Sequence, residues 1–142
     1  MKTINRMALL AGTGILLASF TFTTANAQDK PKGKEWLAPE AAAKKKSPVK
    51  ADDAAAIKSG KDIWTQHCKS CHGVKGLGDG AKAAKLEISS GDFSSNETQD
   101  QSDGALYYKI TEGRKPMPSF KEKLSDSERW QVVAYMRTLK KK

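Results

Sequence analysis

Three stretches of the chain carry apolar residues at helical spacing, separated by segments with no period. Ala56, Ile57, Gly60, Ile63, Trp64 and His67 recur at steps of three and four, which predicts a helix with one buried stripe. Asp52 or Asp53 can cap its start, and the pattern runs to about Cys68. Gly60 lowers helix propensity, which fits a point where another helix crosses closely. A second helix is predicted over about Ser102 to Thr111, with Leu106, Tyr107 and Ile110 on one side. Gly113 stands where a glycine ends such a helix. A third starts at Ser125, where Ser125-x-x-Glu128 is a capping box and Asp126 suits the positive helix end. Val132, Val133, Tyr135, Met136 and Leu139 give its apolar face, and Lys140, Lys141 and Lys142 suit its negative end.

The segments between are loops. Gly73, Gly76, Gly78 and Gly80 form a glycine-rich run, in which Lys75 and Lys82 do not complete a phosphate-binding loop. Ala81 to Leu86 allows a short helix. Residues 89–103 are polar and turn-rich, with Phe93 as a single large apolar residue expected to be a core contact. In Arg114-Lys115-Pro116-Met117-Pro118-Ser119-Phe120, two prolines hold one methionine in an extended conformation that cannot enter a helix.

The N-terminus reads differently. Lys2 and Arg6 precede an apolar run from Ala8 to Phe22, and Ala25-Asn26-Ala27 is a small-residue cleavage pattern. Residues 1–27 are therefore expected to be a secretory signal peptide. An uncleaved anchor is the alternative, although the run is short for a bilayer span of about 20 apolar residues. Residues 28–51 follow as an arm rich in Lys, Pro and Ala, which cannot bury enough apolar surface to fold alone. Trp36 and Leu37 are its exception. They either pin the arm to the domain or a partner, or stand exposed on a tether. The remaining domain is 52–142.

The chemistry concentrates in Cys68-Lys69-Ser70-Cys71-His72, the only two cysteines of the chain followed at once by a histidine. C-x-x-C-H is the attachment pattern of a covalent c-type haem. Two thiols three positions apart on a helical turn can each add to one haem vinyl group, and the next residue is carried under the iron. A structural zinc site wants four Cys or His ligands. The chain has two of each, and His67 adjoins Cys68 too closely to complete a tetrahedron. A thioredoxin-like pair would need a surrounding βαβ pattern, which is absent.

A haem iron with one histidine needs a sixth ligand or an open site. Beyond residue 27 the candidates are Met117, Met136 and His67. Met136 lies on the apolar stripe of the last helix, where packing explains it. His67 is tied too near the attachment turn to reach the opposite haem face. Met117, in its rigid proline loop, is the expected ligand. A Met/His pair raises the reduction potential and leaves no open position for a substrate.

Of 25 basic residues, Lys2 and Arg6 fall in the leader, which leaves 23 against 16 acidic residues, a balance of +7. Haem propionates would reduce it. A basic surface fits docking on acidic protein faces. Nucleic acid is the other usual partner of a basic chain. Export and the lack of basic residues interleaved with aromatics argue against it.

Together these residues resemble a small bacterial class I cytochrome c with a single haem, over about Asp52 to Leu139. The resemblance implies an all-α fold of three to four helices and loops around one covalent haem c, with the N- and C-terminal helices crossing. It implies thioether links at Cys68 and Cys71, His72 as proximal ligand and Met117 as distal ligand. Gly60 and Trp64 match a glycine and an aromatic that precede the first haem cysteine in the family, and Tyr135 matches the aromatic of the crossing helix. There are departures. The Cys71-to-Met117 segment is short, which exposes more haem edge. No proline lies between His72 and Pro116 to supply the carbonyl that orients the histidine in many members, so that acceptor is unassigned.

The expected function is a periplasmic carrier of one electron, not an enzyme, meeting redox partners with acidic docking faces; a monomer is assumed, since nothing in the sequence sets the oligomeric state. Lys75, Lys82, Lys85, Arg114 and Lys115 are candidate docking charges. One alternative is a fixed haem subunit of a larger membrane oxidase or dehydrogenase, associated through residues 28–51. Another is a sensor or enzyme with an open iron, although no residue reads as a distal acid or base.

Overall fold

The computed structural model describes residues 30–141. The expected signal peptide, the first two residues of the arm and Lys142 lie outside the described residues. The elements are α1 (Glu40–Ala43), α2 (Ala54–Ile63), a wide π-helical turn (Trp64–Cys68), α3 (Lys69–His72), a 3₁₀ turn (Ala83–Lys85), α4 (Asn96–Gln99), α5 (Asp103–Glu112) and α6 (Asp126–Arg137). The described residues hold no strand beyond an isolated bridge between Arg114 and Met117. The fold is all-α.

Each long helix begins at a side-chain cap. The Asp53 carboxylate accepts from the Ala56 amide at 2.9 Å. The Ser102 hydroxyl accepts from the Ala105 amide at 3.2 Å. At α6 the expected box is complete, with the Glu128 carboxylate accepting from the Ser125 amide at 2.7 Å and the Ser125 hydroxyl accepting from the Glu128 amide at 3.3 Å. Such a cap stabilises a helix by about 1 kcal/mol.

Helices α2 and α6 cross, and Gly60 is the point of closest approach. A Cβ there would lie 2.6 Å from the Gln131 carbonyl carbon and 3.0 Å from the Tyr135 Cβ. Only a residue without a side chain lets the two backbones meet so closely. Around this crossing sits the core of Trp64, Leu106, Ile110, Trp130, Val132, Val133 and Met136. Val132 and Val133 are each 1% exposed, and full burial of an aliphatic side chain of this size contributes about 1.5–3 kcal/mol. Tyr107 and Trp130 stack at 4.1 Å between α5 and α6. Buried Arg129 is compensated by the Asp126 carboxylate at 2.6 Å.

One expectation changes, and one open alternative is decided for the described residues. The helical period puts His67 on the buried stripe of the first helix, but the residue is exposed. The π-helical turn inserts an extra residue into that period, which rotates His67 away from the core. The open alternative concerns the arm, whose described part packs along the domain, as one of the two readings had it. The Ser102 hydroxyl donates to the Ala43 carbonyl at 2.7 Å. Gly104 leaves room for the carbonyls at the end of α1, since a Cβ at that position would fall 2.7 Å from the Lys45 carbonyl oxygen. Val49 joins the edge of the core. The attachment is made through backbone carbonyls and single apolar contacts, so a Lys- and Ala-rich composition suffices. Leu37 stays 74% exposed, whereas Trp36 is half-buried.

Candidate haem site

The α2 helix runs into the π-helical turn and then α3, which places Cys68, Cys71 and His72 on one short helical stretch. Both cysteines are free thiols and partly buried. Burial, with Cys71 alongside, pushes the Cys68 thiol up to about 12.

His72 is fixed on three sides. Its Nδ1 lies 2.7 Å from the Ser90 carbonyl oxygen. A carbonyl can only accept, so Nδ1 carries the proton and Nε2 keeps its lone pair. The Phe93 ring meets the imidazole edge-on at 4.8 Å, and the Trp64 ring lies at 5.7 Å. Burial lowers the imidazole below its usual range, opposed in part by the Ser90 hydrogen bond. The result is a neutral, oriented imidazole, the form that ligates a metal.

The glycine-rich loop closes the end of α3. The Gly78 amide donates to the His72 carbonyl at 2.9 Å, the Gly80 amide to Cys71 at 3.2 Å and the Lys82 amide to Ser70 at 2.7 Å. These bonds satisfy the orphan carbonyls of the helix end. Gly73, at φ +82°, makes the turn that starts the loop, and its carbonyl accepts from Trp64 Nε1 at 3.0 Å. The same tryptophan thus packs the core and pins the chain next to His72.

Met117 comes from the loop between α5 and α6. It is half-buried and packs against the edge of the core. Its amide donates to the Arg114 carbonyl at 2.9 Å. Below it the Ser119 hydroxyl donates to the Thr111 carbonyl at 2.6 Å, and the Phe120 amide donates to Ile110 at 3.2 Å. Met136 is 3% exposed on α6, a core residue as expected. Exposed His67 has its ring 6.1 Å from Phe120.

Among the described residues no three His, Cys, Asp or Glu side chains gather as a metal cluster. The available donors are two thiols on one helical stretch, an oriented neutral imidazole next to them and one thioether sulfur on a braced loop. That set fits a covalent haem and does not fit a tetrahedral zinc ion.

Comparison with known proteins agrees. Residues 55–136 match the family model described as cytochrome c oxidase, cbb3-type, subunit III. The chain belongs to this family and is a small class I cytochrome c. It is 31% identical to cytochrome c6 of Diacronema lutheri over 84 residues, which are 56% of this chain and 92% of that one. Among solved structures it is similar to the c-type cytochrome KustC0563, with a TM-score of 0.51 and 36% identity over 58% of this chain and 98% of that one. It is also similar to a chain of the Kuenenia stuttgartiensis reducing HAO-like protein complex Kustc0457/Kustc0458, with a TM-score of 0.57 and 32% identity. That match covers 66% of this cytochrome and 47% of the other chain, so this one spans about half the length of that relative. As a cytochrome c it is a haem-based electron carrier that works with redox partners, and not an enzyme.

Two residues of the site lie beyond sequence reasoning. The Ser90 carbonyl takes the role for which the sequence offers no proline. A backbone carbonyl leaves no residue-type signature, so nothing in the sequence points to it. Phe93, expected as a core contact, does pack against the core, but it also supports the His72 ring. The candidate docking charges Lys75, Lys82, Lys85, Arg114 and Lys115 are all exposed, and Arg114 also lies over the Trp36 ring at 4.8 Å.

Proposed function

We propose that this cytochrome carries one electron in the periplasm on a single haem c, joined by thioethers to Cys68 and Cys71 and ligated by His72 and Met117. The observation that carries this reading is the 2.7 Å hydrogen bond from His72 Nδ1 to the Ser90 carbonyl. It leaves Nε2 as the ligand atom and keeps the imidazole from rotating. Bound there, a haem supplies a one-electron couple whose iron needs no vacant position for substrate. The protein orients the imidazole, offers Met117 from a braced loop and packs Trp64 and Phe93 beside the histidine. Exposed Lys75, Lys82, Lys85 and Lys115 would then favour fast, weak docking on acidic partner faces. Among the described residues no helix is long and apolar enough to cross a membrane. The sequence of residues 1–27 is what supports export.

The test is the intact mass of the protein expressed with a haem-attachment system. The expected mass is that of a chain beginning at Gln28 plus one haem, with loss of the haem when Cys68 and Cys71 are both replaced by alanine. A mass without haem, or with the leader retained, would overturn the corresponding part.

A second reading, a fixed subunit of a larger redox complex, is favoured by two names: the oxidase subunit of the matching family model and the protein complex of one structural relative. Salt separates the readings. A diffusing carrier that docks by charge should reduce its partner more slowly as ionic strength rises. A fixed subunit should co-purify with its complex and show a rate that salt does not change.

A further inference from the structure

Residues 30–36 touch both loops that the proposed ligation depends on. At one end, the Ser89 amide donates to the Pro31 carbonyl at 3.1 Å, one residue before the carbonyl that holds His72. The Lys30 ammonium donates to the Ala84 carbonyl at 2.8 Å and also reaches the Leu86 carbonyl. Ile88 packs on Gly33, with its Cδ1 3.0 Å from where a Cβ would stand. Five residues beyond Pro31, the Trp36 ring carries the Arg114 guanidinium at 4.8 Å from its centroid and the Lys109 ammonium at 5.7 Å. Arg114 Nη1 also donates to the Glu35 carbonyl at 3.3 Å. Arg114 is the residue whose carbonyl accepts from the Met117 amide and whose backbone bridges to Met117.

We propose that residues 30–36 are a strap that holds the Met117 loop in its ligating position, with Trp36 as the positioning residue acting through Arg114. The inference rests on Met117 being the sixth ligand. Arg114 is anchored at both ends, its side chain on the strap and its backbone on the methionine loop. The loop itself is exposed at Lys115, Pro116 and Pro118, so little else on its outer side restrains it. Cation–π contact at a surface site is worth enough to change an open-to-closed ratio by about two- to fivefold. The strap lies outside the residues that match the family model, so this brace belongs to this chain's own N-terminal segment.

An external ligand reads the open population directly, because its apparent affinity scales with the fraction of competent protein. The probe is imidazole, titrated into the oxidised, haem-loaded protein. Trp36→Ala should raise its apparent affinity by about two- to fivefold, and Trp36→Phe, which keeps an aromatic face, should restore most of the wild-type value. Arg114→Gln removes the cation while leaving the backbone bridge, and should shift affinity in the same direction if Trp36→Ala does not mature. Met117→Ala is run beside them. An affinity unchanged in Trp36→Ala or Arg114→Gln, while Met117→Ala binds imidazole far more tightly, would overturn the strap and leave the ligand assignment intact. An affinity that Met117→Ala does not raise would overturn the ligand assignment itself. Lower thermal stability in Trp36→Ala with unchanged imidazole affinity would mark the residue as merely structural and also overturn the proposal.

Discussion

His72 Nδ1 and the Ser90 carbonyl oxygen are 2.7 Å apart, and this one bond fixes both the tautomer and the rotation of the proximal imidazole. It joins α3 to a loop eighteen residues further along the chain. The Nδ1 proton should therefore appear as a separate, slowly exchanging resonance in proton–nitrogen spectra of the haem-loaded protein. A proton that exchanges as fast as that of exposed His67 would contradict the arrangement.

Phe93 supports the same ring from its edge, at 4.8 Å from His72 and 5.3 Å from Trp64. Phe93→Ala would leave a void beside both. Because Phe93 is only half-buried, the cost should fall near the low end for such truncations, about 3 kcal/mol. Urea unfolding of the haem-loaded protein measures it. A loss under about 0.5 kcal/mol would show that the contact does not support the site, since that is the range of ordinary surface changes.

Gly60 allows the α2–α6 crossing. Gly60→Ala gains helix propensity but drives a methyl group into the Gln131 backbone. Backbone cannot move aside as a side chain can, so overpacking should win, at about 3 kcal/mol. Thermal unfolding checks the sign. A stabilised variant would mean that the helices are further apart than described.

Asp92 gives the loop that carries Ser90 and Phe93 a pH dependence. Burial works to raise its carboxyl, but hydrogen bonds from the Ser94 hydroxyl at 2.6 Å and amide at 2.8 Å, with the Lys141 ammonium, outweigh it and hold the group below the usual carboxylate range. A carboxyl depressed in the folded state adds stability above its unfolded pKa, about 3.9 for Asp, and loses it as pH falls through the folded value. The stability difference between wild type and Asp92→Asn should thus be full near pH 6 and shrink below about pH 4. A difference that stays constant down to about pH 2 would argue against the network.

Much of the fold is legible in the sequence because its three long helices carry strong periodic stripes and explicit caps at Asp53, Ser102 and Ser125. The attachment turn is legible because covalent haem chemistry demands a fixed spacing of residue types. What escapes is set by backbone. Ser90 acts through its carbonyl, and Pro31, Glu35 and Ala43 hold the N-terminal segment by carbonyls as well, which any residue could supply. The π-helical turn at 64–68 breaks the 3.6-residue period, and the placement of His67 on the buried stripe fails for that reason. Trp36 is the one signal in the arm, and it does not reveal that its partner is Arg114.

Everything proposed for the iron depends on Met117 as the sixth ligand, and visible spectra of the oxidised and reduced protein, wild type beside Met117→Ala, test it most directly. Wild type should show the sharp reduced bands of a low-spin c-type haem and the weak red band of sulfur ligation, and Met117→Ala should turn high-spin and bind carbon monoxide at once. A wild type that is already high-spin and takes up carbon monoxide would mean an open iron, and the proposed His/Met-ligated carrier would give way to a sensor or an enzyme.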